Sequence, residues 1–311
     1  MILPQAILRL LPPLAGVLVN LVKGIGIVAL TDSQQTIQEQ HVKLTMKLLG
    51  MLALAVSVLF AADVAVAQQD NLIDTIKKRG KLQVGFASFL PWAIRDKQGN
   101  WVGFEIDVST KLAKDLGVEL DLMPTAWDGI IPSLIAGKFD VIIGGMSITP
   151  VRKEQVDFTL PYAQQGGGLA ASKQLASNLK YPEGYNDAKV TFTCRRGTAS
   201  CKTIEEMWPK ATVRQFDDDA IAFQEVINGN AHAILSSEPK PTFFTLQNPD
   251  KLFKPTNDRV ASTDAGFALR KGNPAAVAYF DAWIGKNKDW LKQRDAYWFK
   301  GRDWAANVPN S

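Results

Sequence analysis

Arg152 lies where a helix is predicted to begin, directly after a buried strand. The apolar run over residues 139–143 predicts the strand. Thr149 is a good N-cap and Pro150 suits a first helical position, so together they predict the helix. In a first helical turn the free N–H groups and the helix dipole favour an anion, and a guanidinium can bind a carboxylate through two parallel hydrogen bonds. The spacing predicts a carboxylate site at the carboxyl end of a strand, where open α/β sheets bind ligands.

The loop between that strand and that helix supplies the other groups of the predicted site. Gly144 and Gly145 allow the backbone to come close to a ligand, and Ser147 adds a hydroxyl group. The alternative is an ordinary surface helix, because many helices begin with Thr-Pro and first-turn arginines are often solvated. The elements that would hold these residues decide between the two interpretations.

Predicted strands and helices alternate along the chain after residue 70, which indicates βαβ units and largely parallel sheets. Phe104, Val108, Leu112 and Leu116 recur every four residues and give one helix an apolar face. The predicted strands are residues 81–86, 119–124, 141–144, 189–193, 212–216, 231–235 and 266–269. The predicted helices are residues 71–79, 104–116, 127–136, 200–208, 218–228, 275–287 and 289–299.

A glycine-rich break at residues 162–168 separates two such α/β units, and the chain is predicted to return near residues 262–266. The predicted organisation is a first lobe from residues 68–166, a second lobe from 167–263, and a return to the first lobe over 264–311. Two crossings between lobes make a hinge, and a hinge permits closure around a ligand.

The composition fits a globular protein and excludes several other classes. The chain has 311 residues, enough for two domains, with 46% hydrophobic and 21% charged residues. The net charge of +4 comes without a dense run of Lys and Arg, so nucleic acid is not an expected partner. Two Cys and two His rule out a cysteine-rich metal site, and neither a metal nor a cofactor is expected.

An export signal is predicted over residues 46–67. Met46-Lys47 provides a basic start, an apolar centre follows, and Ala65-Val66-Ala67 has the small-residue form of a cleavage site. Cleavage is predicted after Ala67, with release to the periplasm. The alternative is a retained membrane anchor.

Two stretches resemble the signatures of a known family. GFEIDVSTKLAKDL at 103–116 and GGMSITPVRKEQVDFTLPY at 144–162 are similar to segments of bacterial extracellular solute-binding proteins of the polar amino-acid family, the periplasmic receptors of ABC importers. The resemblance covers about residues 78–304. It implies an α/β, two-lobed periplasmic-binding-protein fold that captures an amino acid or related small carboxylate between the lobes. It also implies an ABC permease as partner, a monomer, and no enzymatic reaction.

The resemblance assigns roles to residues of the first lobe. Arg152 matches the family's anchor for the ligand carboxylate, and Ser147 matches a hydroxyl or small residue beside it. Gly145 matches a carbonyl that accepts from the ligand's ammonium group. Phe89 and Trp127 hold the positions of two aromatic residues that enclose the ligand's side chain. Such an enclosure suits aliphatic, aromatic or cationic groups.

Two residues of the second lobe fall in the family's turn before a helix. The Thr198 backbone N–H is expected to complete the carboxylate clamp, and Arg195 is expected to reach the ligand's side chain or to be a surface residue. In the first lobe, Phe86 stands where some relatives place a polar group that contacts the side chain. That difference favours less polar ligands.

One departure from the family concerns the ligand's ammonium group. Most amino-acid binders carry an Asp after the strand equivalent to residues 231–235, and this chain has Ser237 there. Glu238 or Asp264 could supply a substitute carboxylate. Because an unpaired ammonium is costly to desolvate, either a substitute acid exists or the ligand is not an ordinary α-amino acid.

Cys194 and Cys201 flank the turn CRRGTASC. An exported protein meets an oxidising compartment, so a disulfide that braces this turn is expected. Two reduced, buried cysteines are the alternative.

Residues 1–45 do not fit in front of a signal peptide. The stretch ILPQAILRLLPPLAGVLVNLVKG resembles part of an amino-acid ABC permease, and the resemblance fades after about Val28. We interpret residues 1–45 as a permease-like remnant or the result of a mis-set start, with Met46 as the true start.

Two rival functions stay open at this point: a dehydratase-like enzyme on the same fold, and a membrane-tethered ligand-sensing domain.

Overall fold

The computed structural model describes residues 71–308. The predicted signal peptide (residues 46–67) and the permease-like stretch (residues 1–45) lie outside that range. Gln68–Ser311 forms one compact unit. Among the helices of residues 71–308, none has both the length and the apolar character that a membrane span requires.

Strands and helices alternate through the described part of the chain. The strands are β1 Lys81–Phe86, β2 Ile94–Arg95, β3 Trp101–Val102, β4 Glu119–Pro124, β5 Val141–Ile142, β6 Val156–Phe158, β7 Ala163–Ser172, β8 Thr191–Arg195, β9 Thr212–Phe216, β10 Ala233–Ser237, β11 Leu252–Phe253, β12 Val260–Ala265 and β13 Ala268–Arg270. The α-helices are α1 Leu72–Arg79, α2 Phe104–Leu116, α3 Ile130–Ile135, α4 Pro150–Lys153, α5 Lys173–Ala176, α6 Ala199–Met207, α7 Asp219–Ile227, α8 Lys240–Gln247, α9 Pro274–Lys286 and α10 Lys288–Asp295.

Shorter helical turns complete the description. The 3₁₀-helices are Trp127–Gly129, Glu183–Tyr185 and Asp303–Asn307, and the segment Ala296–Lys300 is a π-helix.

The first sheet defines the first lobe and has the order β4-β1-β5-β13-β6. Strands β4, β1 and β5 are parallel, as predicted, whereas β13 runs antiparallel to both β5 and β6. The reason is the path of the chain. The strand that returns from the other lobe must run away from the edge at which β1, β4 and β5 end.

The second sheet defines the second lobe and has the order β11-β7-β10-β8-β9, with β12 also paired to β7. Strands β10, β8 and β9 are parallel, and β7 is antiparallel to β10, β11 and β12. Both sheets are therefore mixed, and the parallel part of each is the βαβ unit that the sequence predicted. The prediction of a two-lobed α/β fold is confirmed.

The chain changes sheets twice, between β6 and β7 and between β12 and β13. At these crossings β7 and β12 lie side by side, with Ala163 opposite Ala265 and Gln165 opposite Thr263. The ends of the two strands thus form a paired connection between the sheets.

Local signals explain the element that carries Arg152. Helix α4 has only four residues, Thr149 caps it by accepting from the Arg152 backbone N–H at 3.4 Å, and Pro150 occupies its first turn. In α2 the four residues of the predicted apolar face are buried, and Gly117 ends the helix with a positive φ of 72°. Both predictions are confirmed.

Some predicted boundaries were wrong. The segment that begins at Trp127 is a 3₁₀ turn followed by α3, because Pro132 cannot occupy the interior of a continuous α-helix. Strands β8 and β10 begin and end two residues later than predicted, so that Arg195 and Ser237 are their last residues. The last predicted helix is α10 followed by the π-helix.

Candidate functional site

A cavity lies where the carboxyl ends of the parallel strands of both lobes face each other. The lining residues come from the segments after β1, β4 and β5, from helix α4, from the hinge strand β7, from the ends of β8 and β10, and from the start of α6. They are Ala87, Phe89, Trp92, Trp127, Gly144, Gly145, Ser147, Arg152, Gln165, Arg195, Thr198, Ala199, Ser200 and Ser237. We call this cavity the cleft.

Arg152 reaches across the cleft from the first lobe. Its Nη1 donates to the Ser147 carbonyl at 3.0 Å and its Nη2 to the Gly197 carbonyl at 3.0 Å. Burial lowers the pKa of the guanidinium to about 10. No carboxylate of residues 71–308 forms an ion pair with it. Its bonds to carbonyls leave the positive charge without a negative partner.

Arg195 reaches across in the opposite direction, from the end of β8. Only 9% of the residue is exposed, and its Nη1 donates to the Ser88 carbonyl of the first lobe at 3.1 Å. Its Nε is buried and has no hydrogen-bond partner among the described residues. Burial lowers the pKa of this guanidinium, and the charges of Asp219, Asp218 and Asp128 oppose that shift.

The Trp127 ring lies close to both of these cations. Its indole N–H donates to the Gly197 carbonyl at 3.2 Å, and the guanidinium carbons of Arg152 and Arg195 lie 5.7 and 6.0 Å from the ring centroid. Gly197 has a φ of 73°, and a Cβ there would stand 3.3 Å from the Asp128 Cα. The turn therefore needs glycine to bring its carbonyl to Arg152 and Trp127.

Phe89 lines the same cleft from the first lobe. A backbone bridge to Ala93 holds its loop, and the Lys240 ammonium of the second lobe lies 4.9 Å from its ring centroid. The structure thus brings Phe89 and Trp127 to one cavity with Arg152, Ser147 and Gly145.

Gln165 forms the floor of the cleft and was missed by the sequence analysis. Its Nε2 donates to the Gly145 carbonyl at 2.6 Å and to Ser147 Oγ at 3.0 Å, and its Oε1 accepts from Ser237 Oγ at 3.4 Å. It is 6% exposed. The available signal was a polar residue next to the glycine run of the predicted break between the lobes.

The turn before α6 differs from the expectation in one respect. The Thr198 backbone N–H, predicted to clamp a carboxylate, donates to the Arg195 carbonyl at 3.2 Å, and the Thr198 hydroxyl donates to the same oxygen at 2.6 Å. Thr198 still lines the cleft, together with Ala199 and Ser200, the first residues of α6. The free N–H groups of a helix N-terminus favour an anion there. Cys194 and Cys201 are joined by a disulfide that links the end of β8 to α6.

The structure does not bring Glu238 or Asp264 to the cleft. The Glu238 carboxylate accepts from Lys254 Nζ at 2.6 Å and from Thr242 Oγ1 at 2.8 Å, within its own lobe. Asp264 is exposed on β12, because side chains alternate along a strand and its neighbour Thr263 donates to Ser147 Oγ at 3.1 Å. In this structure neither residue lines the cleft, in contrast to the expectation that one of them supplies the missing acid.

Phe86 also lies away from the cleft. It is fully buried and packs edge-to-face on Trp101, with 4.8 Å between ring centroids. The next residue, Ala87, lines the cleft in its place. Ser237 does reach the cleft, so the position that was expected to lack an acid is part of the site.

A buried polar chain supports the loop that carries Gly145. The Gly145 N–H donates to Tyr162 Oη at 3.0 Å, and the Tyr162 hydroxyl donates to Glu105 Oε1 at 2.6 Å. Glu105 is fully buried, and burial raises its pKa to about 8. Gly145 itself has a φ of 62°, and a Cβ there would stand 3.1 Å from the Trp92 ring.

A buried ion pair lies in the second lobe. Lys240 Nζ and the Asp219 carboxylate are 2.7 Å apart, and Ser236 Oγ donates to both carboxylate oxygens at 3.2 and 3.3 Å. Both charged residues are less than a tenth exposed. This pair supports the second lobe immediately beside Phe89.

The fold and the cleft define a class of protein. Residues 82–301 match the profile of the bacterial extracellular solute-binding proteins, family 3, and the chain belongs to that family. The resemblance inferred from the sequence is confirmed.

Individual relatives support the same class. The chain is 32% identical to the L-cystine-binding protein TcyJ of Escherichia coli over 256 residues, which cover 79% of this chain and 92% of that protein. It is 37% identical to the crystal structure of AncCDT-1, an ancestral amino acid-binding protein and a precursor of cyclohexadienyl dehydratase, with a TM-score of 0.67 and coverage of 74% and 99%. A binding component of an ABC transporter from Wolinella succinogenes, complexed with lysine, is 31% identical with a TM-score of 0.68 and coverage of 73% and 99%.

Proposed function

We propose that this chain is the substrate-binding receptor of an amino-acid-type ABC importer, and that it captures an amino acid or related small carboxylate in the cleft. The observation that carries this proposal is the pair of cross-lobe arginines. Arg152 and Arg195 each end on a carbonyl of the opposite lobe, and a carboxylate is a stronger acceptor for a guanidinium than a carbonyl.

Closure of the two lobes is the proposed response to the ligand. Residues 68–166 with 264–311 and residues 167–263 would move as two bodies about the paired ends of β7 and β12. A ligand that contacts both arginines binds the closed form better than the open one, and so it shifts the population towards closure. The closed monomer would then present both lobes to an ABC permease.

Export accompanies this function. The family is extracellular, and we propose release to the periplasm by cleavage after Ala67. N-terminal sequencing of the protein from its native host tests the site. A mature chain that begins before Met46, or recovery in the membrane fraction, would favour the tethered sensor.

The function is tested by a thermal-shift screen of the unit Gln68–Ser311. The panel holds the common amino acids, betaines, opines and simple organic acids, and a bound ligand raises the melting temperature by mass action. We expect at least one carboxylate to raise it, and we expect Arg152→Ala to abolish that rise. A panel without any shift would contradict the proposal.

A catalytic function has one observation in its favour, the similarity to AncCDT-1, a precursor of cyclohexadienyl dehydratase. Dehydration needs a general acid or base beside the leaving group. Among the described residues that line the cleft, the ionisable side chains are the two arginines, and neither suits that role. This supports the receptor, and turnover of a cyclohexadienyl acid by the purified protein would overturn it.

A further inference from the structure

The cleft carries an unbalanced charge. Two of its described lining residues are cationic, Arg152 and Arg195, and none of them is an Asp or Glu. Of the two acids that directly follow a lining residue in sequence, Glu238 is paired with Lys254 at 2.6 Å and Asp128 is exposed, and Asp264 is exposed on β12. A ligand that balances this site must bring negative charge with it.

Arg195 has donor capacity that the described protein does not use. Its Nε is buried without a partner, and a buried donor left without an acceptor carries the full desolvation cost. The charges of Asp219, Asp218 and Asp128 act on Arg195 from a distance, but no ion pair links any of these three described residues to it, and the Asp219 carboxylate is committed to Lys240 at 2.7 Å. An acidic group in the cleft would satisfy both the charge and the Nε–H of Arg195.

The two guanidiniums are close enough for one small molecule to contact both. Each lies within 6.0 Å of the Trp127 ring centroid, so they are no farther apart than the sum of those two distances. A single carboxylate has two oxygens, and one guanidinium fork is enough to engage both. Arg152 therefore accounts for one carboxylate, and Arg195 is available for a second acidic group.

The groups available to a ligand's ammonium are neutral. The floor offers the Gly145 carbonyl, Gln165 Oε1 and Ser237 Oγ. A cationic side chain would add a third positive charge beside two guanidiniums that have no carboxylate in contact within the described part of the chain, and like charges repel. The cleft thus disfavours ligands of the lysine type.

From these contacts we infer that the ligand carries two acidic groups, one bound by Arg152 and the second by Arg195, so that this receptor selects acidic amino acids or other small dicarboxylates. The inference rests on the proposed function and adds the ligand's charge to it.

Matched pairs of probes test the inference by isothermal titration calorimetry on Gln68–Ser311. Glutamate and glutamine, and aspartate and asparagine, differ by one charge at nearly constant shape, and lysine supplies the cationic arm. We expect an acid to bind at least about tenfold more tightly than its amide, which is the size of one charge-assisted hydrogen bond, and we expect no binding of lysine.

Variants identify Arg195 as the source of that preference. In Arg195→Gln, which keeps most of the side-chain volume, we expect the acid to lose about 10- to 100-fold in affinity and the amide less than about threefold. The matched control is Arg196→Gln, since Arg196 is the next residue and pairs with the exposed Asp217 at 2.7 Å. The control is expected to keep the wild-type affinities, and a melting curve for each variant verifies folding.

Each other outcome overturns the inference. Tighter binding of an amide or of lysine than of the acids would show that the second acidic group is not recognised. An equal loss for acid and amide in Arg195→Gln would show that both arginines bind one carboxylate. In either case the receptor function stands, because a ligand has bound. Absence of binding by every probe here and in the wider thermal-shift panel would overturn both proposals.

Discussion

Two buried cations of the second lobe, Lys240 and Arg195, are equally hidden from solvent and are treated in opposite ways. Lys240 is 7% exposed and has the Asp219 carboxylate 2.7 Å away, whereas Arg195 is 9% exposed and has a carbonyl oxygen and an unused Nε–H. The charge of one carboxylate, Asp219, acts on both cations, because it also influences Arg195 from a distance. The lobe places that acid in contact with the lysine only.

The difference separates a structural charge from a binding charge. A buried ion pair that loses one partner leaves a costly uncompensated charge, so a structural cation keeps its acid in every state of the protein. A cation that binds a ligand must instead remain free of a protein carboxylate, so that the ligand's acidic group can take that place. Arg152 follows the second pattern in the first lobe, with carbonyls of Ser147 and Gly197 as its acceptors.

The largest predicted effect comes from breaking the structural pair. Asp219→Asn keeps the shape of the side chain and leaves the Lys240 charge buried, so we expect the free energy of unfolding to fall by about 3–5 kcal/mol. Urea denaturation measures the loss. The double variant Asp219→Asn with Lys240→Met is expected to recover much of it. A loss below about 1 kcal/mol in the single variant would remove the contrast between the two cations.

Removal of Arg152, the binding cation of the first lobe, should lower the affinity for the ligand and leave the free energy of unfolding unchanged. Arg152→Ala is expected to weaken binding of the ligand found by screening by about 100-fold or more, since a buried charge-assisted carboxylate clamp is lost. The free energy of unfolding is expected not to fall, because no carboxylate of residues 71–308 forms an ion pair with the guanidinium. Calorimetry and denaturation on the same preparation check both parts, and an unstable variant with near-normal affinity would contradict the assignment.

Glu105 is a third kind of buried ionisable group, because the protein keeps its carboxyl neutral. Burial raises its pKa from 4.5 to about 8, so the folded state holds a proton that the unfolded state has released between those values. Its contribution to stability is therefore complete below about pH 4.5 and is lost as the pH rises through about 8. We expect the wild type to lose roughly 2–3 kcal/mol more than Glu105→Gln between about pH 6 and about pH 9. Parallel pH dependences of the two proteins would contradict this.

The sequence predicted the residues whose signals are local. Arg152 follows its strand, its N-cap and its proline within a short stretch, so its position at the carboxyl end of a strand and in a first helical turn could be predicted without the rest of the fold. The family resemblance then supplied Phe89 and Trp127, which also line the cleft.

Residues whose direction depends on strand ends and pairing could not be predicted in the same way. Because side chains alternate along a strand, Thr263 faces Ser147 and Asp264 faces outward, and no local pattern distinguishes the two. Gln165 on β7 donates to Gly145 in the loop after β5, and this contact between different elements is made by the packing of the fold. The unused Nε–H of Arg195 is likewise a property of the packed cleft.

The smallest predicted effect tests whether an ion pair must be buried to contribute to stability. Arg196, next to Arg195, forms an ion pair with Asp217 at 2.7 Å, as short as the pair of Lys240 and Asp219, but its side chain is 49% exposed and that of Asp217 is 79% exposed. Water and salt screen such a pair, and ordering two long side chains offsets its attraction. We expect Arg196→Gln to leave the melting temperature unchanged within about 1 °C at both low and high salt. A loss comparable to that of Asp219→Asn would mean that contact distance, rather than burial, decides which charges of this lobe are structural.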